Sequence, residues 1–204
     1  MALLSQRGKE FKRKIIAEAA YDLLSCRPYE SVTVDEIANH VGCGKGTLYR
    51  HFECKDHILT YLLLNRLDSL CADIKKECIE SEDFLTGINQ YLTLQFCFFF
   101  KNSQIISSWL RRSVDVGFGD QLLEDVNKKL ENKLHMVALL LERGIQEKSL
   151  RPVDPYELAR LLENIIRDST ISVIHRPNQA HEPDKVLGLM KQILSRGLLL
   201  EPGQ

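Results

Sequence analysis

Apolar residues recur at helical spacing from one end of this 204-residue chain to the other. Nowhere do they alternate in the two-residue period of a half-buried strand, so the chain is confined to an all-α fold. One stripe takes in Phe11, Ile15, Ile16, Ala19, Ala20, Leu23 and Leu24, which predicts a first helix over residues 9–24. Arg27-Pro28 ends it, because the residue before proline is pushed out of the α region. Thr33-Val34-Asp35-Glu36 has the form of a capping box and opens a second helix that buries Val34, Ile37, Ala38 and Val41 and stops at Gly42. A third, short helix follows over residues 45–52, with Leu48 and Phe52 turned inward and Lys45, Thr47, Tyr49, Arg50 and His51 left outside.

The rest of the chain reads as longer helices. One starts at Lys55-Asp56 and carries Ile58, Leu59, Leu62, Leu63, Leu67, Leu70 and Ile74. An aromatic one runs from Ser81-Glu82-Asp83 to about residue 101, with a separate short helix over 104–113. After the Gly117-Phe118-Gly119 turn comes a helix over 120–148. Asp154-Pro155, a capping residue followed by proline, starts another that reaches residue 175. The last spans 183–200. No stretch approaches the roughly 18 apolar residues of a membrane span, and the N-terminus lacks a signal-peptide pattern. Six cysteines without a C-x-x-C pair suit a reducing cytoplasm.

Formal net charge is only -1, but residues 7–14 hold five Lys/Arg against one Glu, and residues 40–55 hold three against one. That is a local electrostatic footprint on a near-neutral chain. Two short helices joined by a glycine turn make a helix-turn-helix, whose second helix enters the DNA major groove. Gly42, Gly44 and Gly46 permit close approach to phosphate, and free amides near Gly44 with Lys45 favour anions. Lys45 and Arg50 can reach guanine edges, the Thr47 methyl can touch thymine, and Tyr49 and His51 can reach phosphates.

The run from Thr33 to Asp56, with its core G-x-x-K-G-T-L-Y-x-H-F-x-x-K and a following acid, closely resembles the helix-turn-helix signature of the TetR family of transcriptional regulators. The resemblance covers about residues 10–60. It implies that Thr33 anchors a phosphate while capping its helix, that Lys45 and Thr47 meet bases or adjacent phosphates, and that Tyr49 meets a phosphate or thymine methyl. Arg50 would read a base, His51 would bind phosphate, and Lys55 would clamp the DNA backbone. The basic segment 7–14 looks like an arm adding further backbone contacts. Two positions depart from the family. Gly44 replaces the usual serine cap of the third helix, and Cys54 replaces the Ser or Asn that commonly caps the fourth.

By the same resemblance, residues 1–55 form a three-helix DNA-binding domain and 56–204 a larger helical domain for effector binding and dimerisation. The aromatic cluster Phe96, Phe98, Phe99, Phe100, Trp109 and Phe118 would partly line an effector cavity, with Arg111, Arg112, His135, Asn164 and Asp168 as polar candidates. The last two long helices are apolar around much of their girth and would pair with their symmetry mates in a homodimer. His51-x-x-Cys54-x-x-His57 crosses a helix boundary and is not read as a metal site; Cys71 and Cys78 are read as small apolar side chains rather than a thiol sensor. No nucleophile motif, phosphate loop, paired carboxylates or cofactor fingerprint is present, so no catalysis is expected. The expected function is a repressor that leaves a palindromic, double-stranded operator when a small molecule binds. The alternative is an all-α binding protein or enzyme that merely retains a helix-turn-helix.

Overall fold

The computed structural model describes residues 2–115, 120–175 and 183–197, with side chains for 8–113, 121–172 and 184–193. Among these residues every regular element is helical. In chain order they are α1 (Ala2–Leu24), a 3-10 turn (Tyr29–Ser31), α2 (Val34–Val41), α3 (Lys45–Tyr49) and α4 (Lys55–Asp73), which continues as a π-helical segment (Ile74–Ile79). Then come α5 (Phe84–Asp115), α6 (Asp120–Gln146), α7 (Pro155–His175) and α8 (Pro183–Gly197). No described helix is long and apolar enough to cross a membrane.

The chain packs as two compact units. The first is Met1–Arg66 with Asn102–Asn127, and the second is Leu67–Lys101 with Lys128–Gln204. In the first unit α1 turns Ile16, Ala17, Ala20 and Leu24 inward. Phe11 and Ile15, expected in that stripe, are instead exposed, Phe11 by 66%. Each residue step rotates a helix by about 100°, and the row that Phe11 and Ile15 share lies one step off the buried face. Polar staples fix α1 to α4. The Tyr61 hydroxyl donates to Glu10 at 2.5 Å, and Arg66 pairs with Glu18 at 2.6 Å. The Arg13 guanidinium lies against the rings of Phe52 and Tyr61, 4.9 and 4.6 Å from their centroids. Residues 8–14 therefore belong to a packed helix, not to an arm; the Arg7 side chain falls outside the described set.

Three other boundaries differ from expectation. α3 has five residues, and the chain closes behind it in a tight turn, with the Phe52 amide donating to Leu48 O at 3.0 Å. α5 continues through Asn102-Ser103-Gln104 without a break. Those residues are weak helix formers but none is glycine or proline, so nothing forces an end. α6 ends two residues early, where Lys148 takes a left-handed φ of 55°.

The second unit is held at the α4–α5 connection by one side-chain pair from α6. Arg143 donates to Ser81 O at 3.0 Å and Glu82 O at 2.8 Å, while Glu147 accepts the Phe84 amide at 3.0 Å. A cation thus meets the carbonyls that follow one helix and an anion the first amide of the next, as their dipoles favour. Gly87 is required here, because a Cβ would lie 2.4 Å from Cys78 O. Around this joint Phe84, Ile88, Tyr91, Val137, Leu140, Leu141, Ala159 and Ile166 form the core. Cys78 is buried, and burial pushes its thiol up to about 12, which suits a small core residue rather than a sensor.

Candidate nucleic-acid interface

The helix-turn-helix is built as its sequence requires. Thr33 Oγ1 accepts the Glu36 amide at 3.1 Å, and Glu36 returns Oε2 to the Thr33 amide at 2.8 Å. The bond from the Thr33 amide, then those from Arg27 at 3.0 Å and the Thr33 hydroxyl at 3.1 Å, hold the Glu36 carboxyl below its ordinary range. Gly42 ends α2 with φ 74°, a conformation that strains any side chain with a Cβ. Gly44 caps α3 with extended backbone and no side-chain bond, and its carbonyl accepts the Thr47 amide at 2.8 Å. Leu48 and Phe52 are fully buried beneath it. Lys45, Tyr49 and Arg50 are exposed, and Thr47 is half-buried with its hydroxyl 3.3 Å from Arg50 Nη2.

Two of the expected phosphate ligands are engaged within the protein. Lys45 Nζ pairs with Asp35 at 2.8 Å, on the surface, which raises its pKa chiefly through that hydrogen bond. DNA can displace such an exposed partner at little cost. Lys55 is different. Its ammonium turns inward, donating to Tyr29 O at 2.7 Å and Val32 O at 2.8 Å, and lies 3.8 Å from the Tyr29 ring centroid. Desolvation lowers its pKa. Lys55 ties the 3-10 turn to the start of α4, so the expectation that it clamps the DNA backbone is corrected.

His51 has the opposite character. Its Nδ1 is buried without a partner, and its pKa is lowered, first by desolvation and then by the charges of Lys12, Arg50, Lys9 and Arg13. Lys9 and Lys12 of α1 thus share one positive region with Arg50 and His51. Their sequence signal is the basic run 7–14, which from Lys9 onward falls within the expected helix 9–24.

Behind this surface the first unit contains an ionic knot. Arg112 donates to both Asp56 oxygens, Nε at 3.0 Å and Nη2 at 2.6 Å, and the buried Tyr29 hydroxyl donates to the same carboxylate. Asp56 is held below its ordinary range: its own desolvation opposes the shift, and the bonds from Arg112 and Tyr29 outweigh it. One turn along each helix, Trp109 Nε1 donates to Thr60 Oγ1 at 3.3 Å.

The residues expected to form an effector site are divided between the two units. Trp109 and Arg112 belong to the first unit, where they donate to Thr60 and Asp56 of α4. Phe96, Phe99, Phe100, Asn164 and Asp168 belong to the second. Of these only Phe96 and Phe99 are buried. Phe100 is exposed at its outer edge, Asn164 is exposed, and Asp168 is exposed with Arg167 at 2.9 Å. Arg111 and His135 are likewise exposed, His135 beside Glu131 at 3.3 Å, and Phe118 lies outside the described residues.

The buried polar centre of the second unit is made of residues that sequence reasoning missed. Glu163 of α7 accepts the Tyr91 hydroxyl at 2.8 Å on Oε1, and Gln95 Nε2 at 2.5 Å and Lys133 Nζ at 2.6 Å on Oε2. Tyr91, Gln95 and Lys133 are almost wholly buried. The available signal was register. Lys133 falls seven residues from Val126 and from Leu140, both core positions, and Glu163 sits between the buried Leu162 and Ile166. Among the described residues no group of three or more His, Cys, Asp or Glu could hold a metal ion.

A capped helix, a left-handed glycine turn and a short exposed basic helix over an apolar anchor define a helix-turn-helix DNA-binding transcriptional regulator. Residues 16–62 match the family of bacterial regulatory proteins named tetR, and every regular element among the described residues is helical. It is 22% identical over 191 residues to the uncharacterized HTH-type transcriptional regulator YhgD of Bacillus subtilis, covering 92% of this chain and 96% of that one. It is 25% identical over 194 residues to the nucleoid occlusion factor SlmA of Idiomarina loihiensis, covering 94% and 97%. In fold it matches a transcriptional regulator from Saccharomonospora viridis in complex with choline, with TM-score 0.82, 18% identity, and 94% and 100% of the two chains covered.

Proposed function

We propose that residues 1–55 read a palindromic operator and that residues 56–204 dimerise and bind a small effector whose arrival releases the DNA. The observation that carries the DNA-reading half is α3, which exposes Lys45, Tyr49 and Arg50 on one side while Leu48 is fully buried on the other. Arg50 selects bases, and Lys45 meets a base edge and the phosphate beside it. Thr33, Gly44, Thr47, Tyr49 and His51 fix register on the phosphates, joined by Lys9 and Lys12. The protein acts in the cytoplasm, as a repressor and without catalysis. The effector half is supported by the regulator of like fold that is described with choline bound.

The dimer reading rests on Leu161 and Ile165 of α7 and Leu189 and Ile193 of α8, each more than half exposed and spaced one helical turn apart. α7 and α8 pack together, and these exposed apolar residues are ones that a second copy can cover. The side chains of Val173, Leu194 and Leu198 on the same two expected helices lie outside the described set. Selection of bound sequences from a random duplex pool, with the complex mass measured by ultracentrifugation, tests the whole reading. Two inverted half-sites about one helical turn, or a multiple, apart and two chains per site are expected. A single half-site bound by one chain, or no DNA binding, contradicts it; the latter would favour a binding protein with a vestigial helix-turn-helix.

His51 adds a pH dependence. In the free protein its pKa is depressed; a phosphate beside the imidazole favours the cation and raises it. Binding therefore takes up a proton. Operator affinity is expected to strengthen as pH falls from about 8 to about 5, the range in which histidine titrates. His51→Gln should remove that part of the dependence, as measured by fluorescence anisotropy at fixed salt.

A further inference from the structure

The centre around Glu163 is better satisfied on one side than on the other. Glu163 receives three donors, one on Oε1 and two on Oε2. Gln95 Oε1, in a residue with no exposed surface, has no hydrogen-bond partner. Turning the amide over does not cure this, since it would set the oxygen against the Glu163 carboxylate and leave the NH2 unpaired in its place. Buried polar groups are paired in the great majority of cases, and an exception calls for an explanation. Lys133 is close by and also has capacity in hand. Of its three N–H donors one goes to Glu163, and the ammonium otherwise lies 5.7 Å from the centroid of the Phe99 ring.

We infer that Gln95 and Lys133 are the polar anchor of the effector, and that the effector is an uncharged amphipathic molecule presenting an N–H or O–H donor beside an acceptor. The donor meets Gln95 Oε1 and the acceptor meets Lys133, while the buried faces of Phe96 and Phe99 on the same helix take the apolar part. This inference rests on the effector-responsive reading above. Charge decides the class. Lys133 and Glu163 cancel one another at 2.6 Å, so a charged ligand would enter a buried centre with no counter-ion left for it. Cys71 supplies none, because burial raises its thiol pKa and keeps it neutral. Primary amides, hydroxyamides and hydroxyketones fit; carboxylates and quaternary ammoniums do not.

Three probes of equal chain length test this on the full-length protein: octanamide, octanoate and octyltrimethylammonium, followed by calorimetric titration and thermal melting. Octanamide is expected to bind and raise Tm, with the two ions binding at least about tenfold more weakly. Gln95→Met, which keeps the side-chain volume, should weaken octanamide by about tenfold, the worth of one buried hydrogen bond. Should that variant fail to fold, the ranking of the three probes on the unaltered chain still decides. Equal or tighter binding of either ion, no binding of octanamide, or octanamide binding untouched by Gln95→Met overturns the inference. Operator affinity measured in the same samples separates the two readings. Octanamide bound at Gln95 with operator affinity unchanged leaves the anchor standing and removes the effector role.

Discussion

Replacing Glu163 by alanine is expected to destabilise the protein by about 3–5 kcal/mol, the usual cost of leaving a buried charge without its partner. The stranded charge is Lys133, whose side chain is 3% exposed. Tyr91 and Gln95 lose their acceptor at the same time. The loss comes from isolation, not from the pair's own strength. Changing both Lys133 and Glu163 to methionine should therefore recover most of it, since well-packed apolar replacements of buried ion pairs are often neutral or better. Urea unfolding followed by circular dichroism, at one protein concentration for all variants, gives both numbers. A single variant that loses less than about 1 kcal/mol would show that water reaches Lys133 and that the pair behaves as a surface bridge.

The second large effect is local to the DNA-reading unit. Leu48→Ala is expected to cost about 2–5 kcal/mol, as for other fully buried leucines, and to abolish operator binding. α3 has only five residues, and a helix so short has no stability of its own. Its position depends on Leu48 and on Phe52 just beyond its end, both buried. Losing Leu48 removes the anchor that aims Lys45 and Arg50. Hydrogen exchange should show the amides of α2 and α3 exposed while those of α5 and α7 in the second unit keep their protection. Retained operator affinity in this variant would mean that α3 is held by something other than its apolar underside.

How far the sequence could be read depended on whether a residue's role is local. Thr33, Glu36, Gly42 and Leu48 act on neighbours within a turn or two, through a capping box, a left-handed cap and a helical period, and the structure has each as expected. Arg112, Trp109 and Lys55 act across long separations. Arg112 reaches Asp56, 56 residues away, and Lys55 reaches the carbonyl of Tyr29, 26 residues away. No periodicity announces such partners, so the sequence shows Arg112 only as a basic residue beside an aromatic cluster. Glu163 and Lys133 were overlooked for the reverse reason. Charged side chains are rarely fully buried, and their place on inward rows was outweighed by their type. Phe11 and Ile15, in the middle of α1, show the limit of stripes: apolar residues can satisfy the helical period without facing the core.

The central claim is that α3 reads DNA while Lys55 holds the unit together from within, and a salt titration of operator binding tests it most directly. Each phosphate contact contributes about -0.9 to the slope of log affinity against log salt. Lys45→Ala is expected to flatten the slope by about one such contact, once its exposed bond to Asp35 is exchanged for phosphate. Lys55→Met should leave the slope unchanged and lower the unfolding midpoint instead, because its ammonium is spent on Tyr29 O and Val32 O. A slope that does not respond to Lys45, or that flattens equally with Lys55, would contradict the account.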